Sequence, residues 1–464
     1  MLIRSFYLLA GCLLSFTLSP VGASIEVTPA ILASHNWTDN RSLATDELRE
    51  EDTITEIQPE ITLTMASRRH RGVLDASYQY LIYQRANETR SFQQYRASTN
   101  SVFVADLLFL DLSADKLQSP VSQQETVGAN NFSLTTNRTD VRTFDVHPYL
   151  LKQWNPRWRS RIDYNYQDIR YESTRLDDSQ IQEVTALMGY GSGGDNLQAD
   201  LSYNRIRTES DRVVIPSEFD EIKLDTRYQM NATWTWLLNV GYEDDRYDRS
   251  TIDKTKGGFG EIGAEVIPTR KITLSGTVGE RYFGNTASLR LLYRYNLQAG
   301  IEAGYRKDIS QTAIEIIRNR AQAGAITQFD RFGNTFLLTE VFKIRRSHAL
   351  IYYQGAKSRG EISGYHEIRD FQLSLNQEVV DYVEASWAWS ITAKSTLDLK
   401  FSVRDREVDN QVGEDRLHYA RVKIETKPAR YVSMGGEYSV TGRSGEFVQD
   451  YRQQQFGLFA RVLF

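Results

Sequence analysis

Beyond Cys12 this chain of 464 residues contains no cysteine, and Cys12 lies inside an apolar leader. Once that leader is removed, disulfides, thiolate metal sites and thiol nucleophiles are all excluded. No stretch after Ala23 approaches the ~18 consecutive apolar residues of a transmembrane helix, so a helical membrane protein is excluded too. Charge of one sign is not in large excess. The formal net charge of −5 is too mild to imply a nucleic-acid partner.

Motifs of chemistry are equally scarce. There is no Gly-x-Ser-x-Gly elbow and no His-Glu-x-x-His helix, and His35, His70, His147, His348, His366 and His418 are scattered without ligand spacing. Two Gly-x-Gly-x-x-Gly matches occur, at Gly189-Gly191-Gly194 and Gly258-Gly260-Gly263. A dinucleotide site needs that turn between a strand and a helix, whereas these fall in a hairpin and in an alternating strand. Glycines that relieve crowding in a curved wall account for both. No catalytic residue, metal site or cofactor is expected.

What the chain does have begins with a secretory leader. Arg4 supplies the positive end, Phe6 to Leu18 is apolar, and Val21-Gly22-Ala23 offers small residues before Ser24. Residues 1–23 read as a signal peptide and 24–464 as the mature protein. Leu9-Ala10-Gly11-Cys12 also resembles a lipoprotein cleavage box, but cleavage there leaves a very short signal and a mature end opening on Leu13-Leu14-Ser15-Phe16.

From residue 53 onward, short runs alternate apolar and polar with a period of two. Ile57, Pro59, Ile61, Leu63 and Met65 alternate with Gln58, Glu60, Thr62 and Thr64. Leu197, Ala199, Leu201 and Tyr203 do so against Gln198, Asp200, Ser202 and Asn204. Successive strand side chains point to opposite faces, so each segment has one apolar and one strongly polar side. That suits a wall with lipid on one side and water on the other. The chain also ends on such a strand, in which Phe456, Leu458, Ala460, Val462 and Phe464 carry the alternation to the last residue. A terminal aromatic on that period resembles the C-terminal signal read by the barrel assembly machinery of Gram-negative outer membranes.

Connections alternate in length. Tight ones are expected at Asn155-Pro156, Gly193-Gly194-Asp195, Pro268-Thr269-Arg270, Lys394-Ser395 and Lys427-Pro428-Ala429, and longer polar ones near 172–179, 208–220, 244–257, 405–416 and 441–450. Outer-membrane barrels have short periplasmic turns and longer external loops. Counting back from Phe464, both termini are expected in the periplasm. At roughly 22–25 residues per strand with its loop, the fold expected is all-β, a single transmembrane antiparallel barrel of about 18 strands, within a range of 16–22. Residues 84–106 mix their periods, and Ala313 to Ala325 reads as a short loop or plug helix as well as a strand. No sizeable domain precedes the first strand, which argues against a TonB-type receptor.

Aromatics gather toward strand ends: Trp154 with Trp158, Trp234 with Trp236, and Trp387 with Trp389 are expected to form an interfacial girdle. On the polar face, Asp200, Lys223, Asp225, Arg227, Glu261, Glu265, Arg290 and Arg294 are the candidate lumen residues. Two roles fit them: contact with a sugar polymer or ion, or mutual neutralisation across neighbouring strands.

Several stretches resemble the PEP-CTERM-system-associated outer-membrane β-barrel family. They are Ile25-Glu26-Val27-Thr28-Pro29 followed by Trp37-Thr38-Asp39-Asn40, then Ile54-Thr55-Glu56-Ile57-Gln58-Pro59-Glu60-Ile61, then Leu108-Phe109-Leu110-Asp111, and Asp450-Tyr451 before the last strand. Where that family has Asp-Tyr-x-Glu-Asn, this chain has Asp450-Tyr451-Arg452-Gln453-Gln454. The resemblance implies an outer-membrane barrel of bacteria that carry exosortase-type sorting and exopolysaccharide loci. Its implied partners are outer-membrane lipid, the assembly machinery and exopolysaccharide or its export proteins; no catalytic residue comes with it. The chain has no Pro-Glu-Pro tail, so the reading is a component of the envelope machinery and not a sorted substrate. A porin-like channel for small solutes is the main rival, to be recognised by an inward-folded loop with segregated acids and bases, for which 308–332 is the candidate. An outer-membrane enzyme is the third reading.

Overall fold

The computed structural model describes residues 24–464 except 122–124, 127, 129, 192–193, 212–215, 248–254, 312–340, 373–374, 410 and 447–448. Ala313 to Ala325, and residues 312–332 of the expected constriction loop, lie outside the described residues. The chain forms one antiparallel sheet of 22 strands. The first group is β1 (Ser24–Thr38), β2 (Asp52–Ala66), β3 (His70–Tyr83), β4 (Glu88–Val104), β5 (Leu108–Ser119), β6 (Thr139–Gln153), β7 (Trp158–Tyr171) and β8 (Ser179–Tyr190). Next come β9 (Leu197–Ser210), β10 (Ser217–Gln229), β11 (Trp234–Arg246), β12 (Lys256–Thr269), β13 (Ile272–Arg281), β14 (Gly284–Arg294) and β15 (Ala299–Gln311). The last are β16 (Val341–Gln354), β17 (Ser358–Phe371), β18 (Gln377–Ser390), β19 (Ser395–Val408), β20 (Gln411–Ala429), β21 (Val432–Gly445) and β22 (Tyr451–Leu463).

Each strand pairs with the next, and β22 closes the ring on β1 with Ala33 opposite Ala460 and Trp37 opposite Phe456. Closure leaves no unpaired edge. Even the last backbone N–H is used, since Phe464 N donates to Pro29 O at 2.9 Å. The fold is thus the barrel expected, with 22 strands in place of about 18. Part of the difference lies in 84–106, whose mixed periods conceal β4, and part in connections shorter than the average loop share allowed.

The apolar face of each strand points out of the ring. Leu201 and Leu224, register partners on β9 and β10, are 48% and 37% exposed, and Ile262, Val278 and Leu289 on β12 to β14 are more than half exposed. Outside lipid this would be a costly apolar surface, far larger than the patches that soluble monomers show. No helix among the described residues is long and apolar enough to cross a membrane.

Both ends of the described chain lie at one rim, with the short connections: 67–69, 154–157, 230–233, 270–271, 391–394 and 430–431. The opposite rim carries 39–51, 120–138, 172–178, 211–216 and 247–255. Several expected connections shift, the turn placed at Pro268-Thr269-Arg270 to 270–271 among them. The turn placed at Lys427-Pro428-Ala429 sits at 430–431, because β20 runs on through Ala429 with a register shift after Thr426. The loop expected over 405–416 shrinks to 409–410, its polar residues being drawn into β19 and β20 by cross-strand pairs such as Asp405 with Arg416 at 2.6 Å. Trp154, Trp158, Trp234, Trp236, Trp387 and Trp389 are all exposed at the short-turn rim.

The glycine matches build wall and turn. Gly191 turns the chain with φ 92°, and Gly263 lies in β12, where a Cβ would strike the Gly276 carbonyl oxygen.

Candidate functional site: the polar lumen

The polar face lines the inside, because its side chains meet partners on strands that are not neighbours. Arg227 of β10 reaches past β11 to Glu265 of β12 at 2.8 Å. Asp200 holds Arg159 of β7 at 2.6 Å, also skipping a strand. Lys223 sits 3.2 Å from Asp225 on its own strand, Glu261 binds Arg281 at 3.0 Å, and Arg290 binds Glu302 at 3.0 Å. Arg294 closes β14, its backbone N donating to Lys271 O at 2.7 Å. The candidates therefore spread along the wall from β9 to β14, and all but Arg294 sit beside a countercharge. They do not converge on one centre.

Sequence reading missed three denser groups. The first surrounds Arg281 at the end of β13, whose guanidinium lies 2.6 Å from Glu243, 3.0 Å from Glu261, 3.5 Å from Glu221 and 3.9 Å from Asp308. It also stacks on Phe259 at 4.4 Å. One cation thus gathers carboxylates from four strands, which individual strand patterns do not reveal.

The second group is a belt of alternating charge that runs from β16 to β21. Arg346 meets Glu367, which meets Arg369; Arg369 meets Glu378 at 3.2 Å, and Glu378 meets Arg406. Asp415 then takes Arg443 in a two-pronged contact, 2.7 Å on each arm, with Arg404 at 3.8 Å. Glu367, Arg369, Glu378, Arg404, Asp415 and Arg443 are all buried. Buried charges persist when paired and hydrogen-bonded, and this belt supplies both.

The third group comes from the connection between β5 and β6, whose described residues 130–138 fold into the ring. Asn130 Nδ2 donates to Gln455 Oε1 of β22 at 2.5 Å, and Asn131 Nδ2 to Gln79 Oε1 of β3 at 2.8 Å. Leu134 N donates to Arg41 O at 2.6 Å, and Arg443 Nη1 of β21 donates to the Glu125 carbonyl at 2.7 Å. Phe132 and Leu134 pack on the buried Ile54, Leu81 and Tyr83 of β2 and β3. The segment therefore occupies the sector of lumen in front of β21, β22 and β1 to β3. Of the expected inward loop 308–332, residues 312–332 lie outside the described residues; this is an inward segment among the described ones. Its signal in the sequence was Val121, Phe132 and Leu134, apolar residues inside a polar connection with nothing local to bury them. Beneath it, Gln79 donates to Glu56, which also accepts from Ser34, so the wall network continues down β3, β2 and β1.

No arrangement among the described residues looks built for bond chemistry. His147 bonds Asp163 at 2.9 Å with Asp111 at 3.9 Å, and His366 bonds Asp381 at 2.8 Å, yet no group of three potential metal ligands forms.

A closed ring of this size, apolar outside and charged inside, defines the class: an outer-membrane β-barrel. No protein-family model and no curated protein sequence matches the chain. Among solved structures it is similar to the siderophore receptor PirA from Acinetobacter baumannii, with TM-score 0.53, 8% identity, 95% of this chain and 80% of that one covered. It is also similar to a mutant of the ferric enterobactin receptor PfeA from Pseudomonas aeruginosa in complex with enterobactin, with TM-score 0.52, 8% identity and coverage of 96% and 82%. Identity this low shows a shared barrel fold alone.

Proposed function

We propose that this barrel is an outer-membrane conduit or structural component associated with surface polysaccharide export, in bacteria with a PEP-CTERM type sorting system. The observation that carries the reading is the 22-stranded ring with a polar interior. Small-solute porins use 16–18 strands, whereas 22 enclose a wider lumen that suits large cargo once it is partly filled. Residues 130–138 supply such filling. The family resemblance carried by Ile25 to Pro29, Leu108 to Asp111 and Asp450-Tyr451 supplies the polysaccharide context. The short-turn rim, with its tryptophans and both ends of the described chain, faces the periplasm in this reading.

The porin rival required an inward loop with segregated acids and bases. Residues 120–138 hold one acid, Glu125, and one base, Arg138, among amides and hydroxyls. That composition does not set up a field across a constriction; the loop named for the porin reading, 308–332, lies from 312 onward outside the described residues. Deleting the gene should reduce surface exopolysaccharide or disturb display of sorted proteins while growth on small nutrients continues. Normal polysaccharide and display, together with lost permeability to a small solute, would hand the function to the porin reading.

A further inference from the structure

The outward face of β15 and β16 changes character partway along. Ile301, Ile351 and Ile362 form one register row across β15, β16 and β17 and are 37%, 49% and 51% exposed on the lipid side. A strand returns to the same face at every second position. Lys307 on β15, with Lys343 and Arg345 on β16, therefore shares that outward face, farther from the short-turn rim. Counted from Ala299, where β15 leaves that rim, the strand has advanced roughly 26 Å at Lys307, and with barrel tilt roughly 20 Å of this lies along the membrane normal. The apolar band of an outer-membrane barrel is about 25 Å tall. These cations thus stand where lipid tails give way to headgroups.

Charges there oppose their own sign. Lys307 is the direct register partner of Arg345, with Lys343 on the diagonal. Like charges directly opposite destabilise a sheet. One carboxylate serves the three: Asp370 lies 3.3 Å from Arg345, and its other oxygen accepts from Gln377 at 2.5 Å. No carboxylate among the described residues comes within 4.0 Å of Lys307 or Lys343, and both side chains are half-buried. Outward basic groups beyond the apolar run of other strands are matched: Arg205 by Glu218 at 3.2 Å, Arg416 by Asp405 at 2.6 Å, and His366 by Asp381 at 2.8 Å. Three cations less one carboxylate leave two positive charges in surplus on β15 to β17. The wall separates this surface from anything in the lumen. Its counter-ion must come from the lipid that covers it.

We propose that Lys307, Lys343 and Arg345 bind the phosphate of a phosphorylated glycolipid headgroup in the outer leaflet. A phosphomonoester carries about −1.5 to −2 charge and three acceptor oxygens, which matches the surplus. The lysines supply point charges and the arginine a planar fork. A bound anion also relieves the opposition of Lys307 and Arg345. The proposal goes beyond the conduit reading and takes from it only the orientation, long-loop rim outward.

The experiment uses the full processed chain, purified in neutral detergent and titrated with diphosphoryl lipid A, with the same lipid stripped of phosphate, or with phosphatidylglycerol. Native mass spectrometry counts the lipid bound, and heat-modifiable mobility shows that each variant is folded. Diphosphoryl lipid A should bind most tightly. Lys307→Gln with Lys343→Gln should weaken it by about tenfold or more, as two charge-assisted contacts are lost. Lys307→Arg with Lys343→Arg keeps the charge and should bind as the native chain does. Arg416→Gln, at an outward cation with its own carboxylate, should also leave binding unchanged. Equal affinity in the glutamine pair, or for the lipid without phosphate, would overturn the site. Phosphatidylglycerol bound as tightly as lipid A would overturn the glycolipid as its ligand. Neither result bears on the conduit reading, which polysaccharide display tests by itself.

Discussion

At the scale of single residues, the interior is a problem of charge pairing that the sequence states only in part. Period-two patterning put Asp225, Arg227, Glu261 and Glu265 on one face, because facing depends only on parity along a strand. Which of them meet depends on register between strands, and Arg227 finds Glu265 two strands away. The buried Arg443–Asp415 pair shows what such contacts are worth. Both partners are almost wholly covered and joined by two 2.7 Å bonds. Arg443→Met leaves Asp415 with only Arg404, at 3.8 Å, and should cost about 3–5 kcal/mol, the scale for orphaning one member of a buried pair. Replacing both, Arg443→Met with Asp415→Leu, should recover most of that loss. Urea unfolding of the refolded barrel in lipid vesicles measures both, and a double variant as unstable as the single one would mean that the pair itself carries the stability.

At the scale of elements, strand existence was legible and strand count was not. Alternation survives in every strand whose outer face meets lipid, as in Leu197 to Tyr203. It fails in β4, where Gln93 and Ser91 occupy outward positions beside Tyr95 near the long-loop rim, so the apolar face stops short of the strand end. Connection lengths mislead as well: β13 and β14 are joined by Tyr282 and Phe283 alone, at the rim where long loops are the rule. The inward segment is the hardest element to foresee, since its partners Gln79, Arg443 and Gln455 lie dozens to hundreds of residues away. The closing strand is the most legible. Phe456 and Leu458 are strongly exposed on the outer face of β22 and Phe464 is exposed just past its end, Ala460 lies on the same face, and Val462 is half-buried beside β1 and β21. Deleting Phe464 removes the last outer-face aromatic and the bond to Pro29 O. Secretion should persist while the folded outer-membrane amount falls, read as heat-modifiable electrophoretic mobility and membrane yield; unchanged values would show that assembly does not read this residue.

For the whole molecule, the difference between the two rims carries the orientation. Short turns cannot reach far from a bilayer, and exposed tryptophans flank three of them: 154–157, 230–233 and 391–394. Indole rings favour headgroup depth, so this rim is held at an interface with little protein beyond it. The opposite rim carries connections such as 39–51 and 172–178. Barrels inserted from the periplasm leave their short turns on that side. Because the described residues hold no cysteine, single cysteines introduced there report side directly. With Thr174→Cys in a long connection and Asn231→Cys in a short turn, a membrane-impermeant maleimide applied to intact cells should label the first and spare the second until the outer membrane is permeabilised. Labelling of position 231 alone on intact cells would invert the barrel.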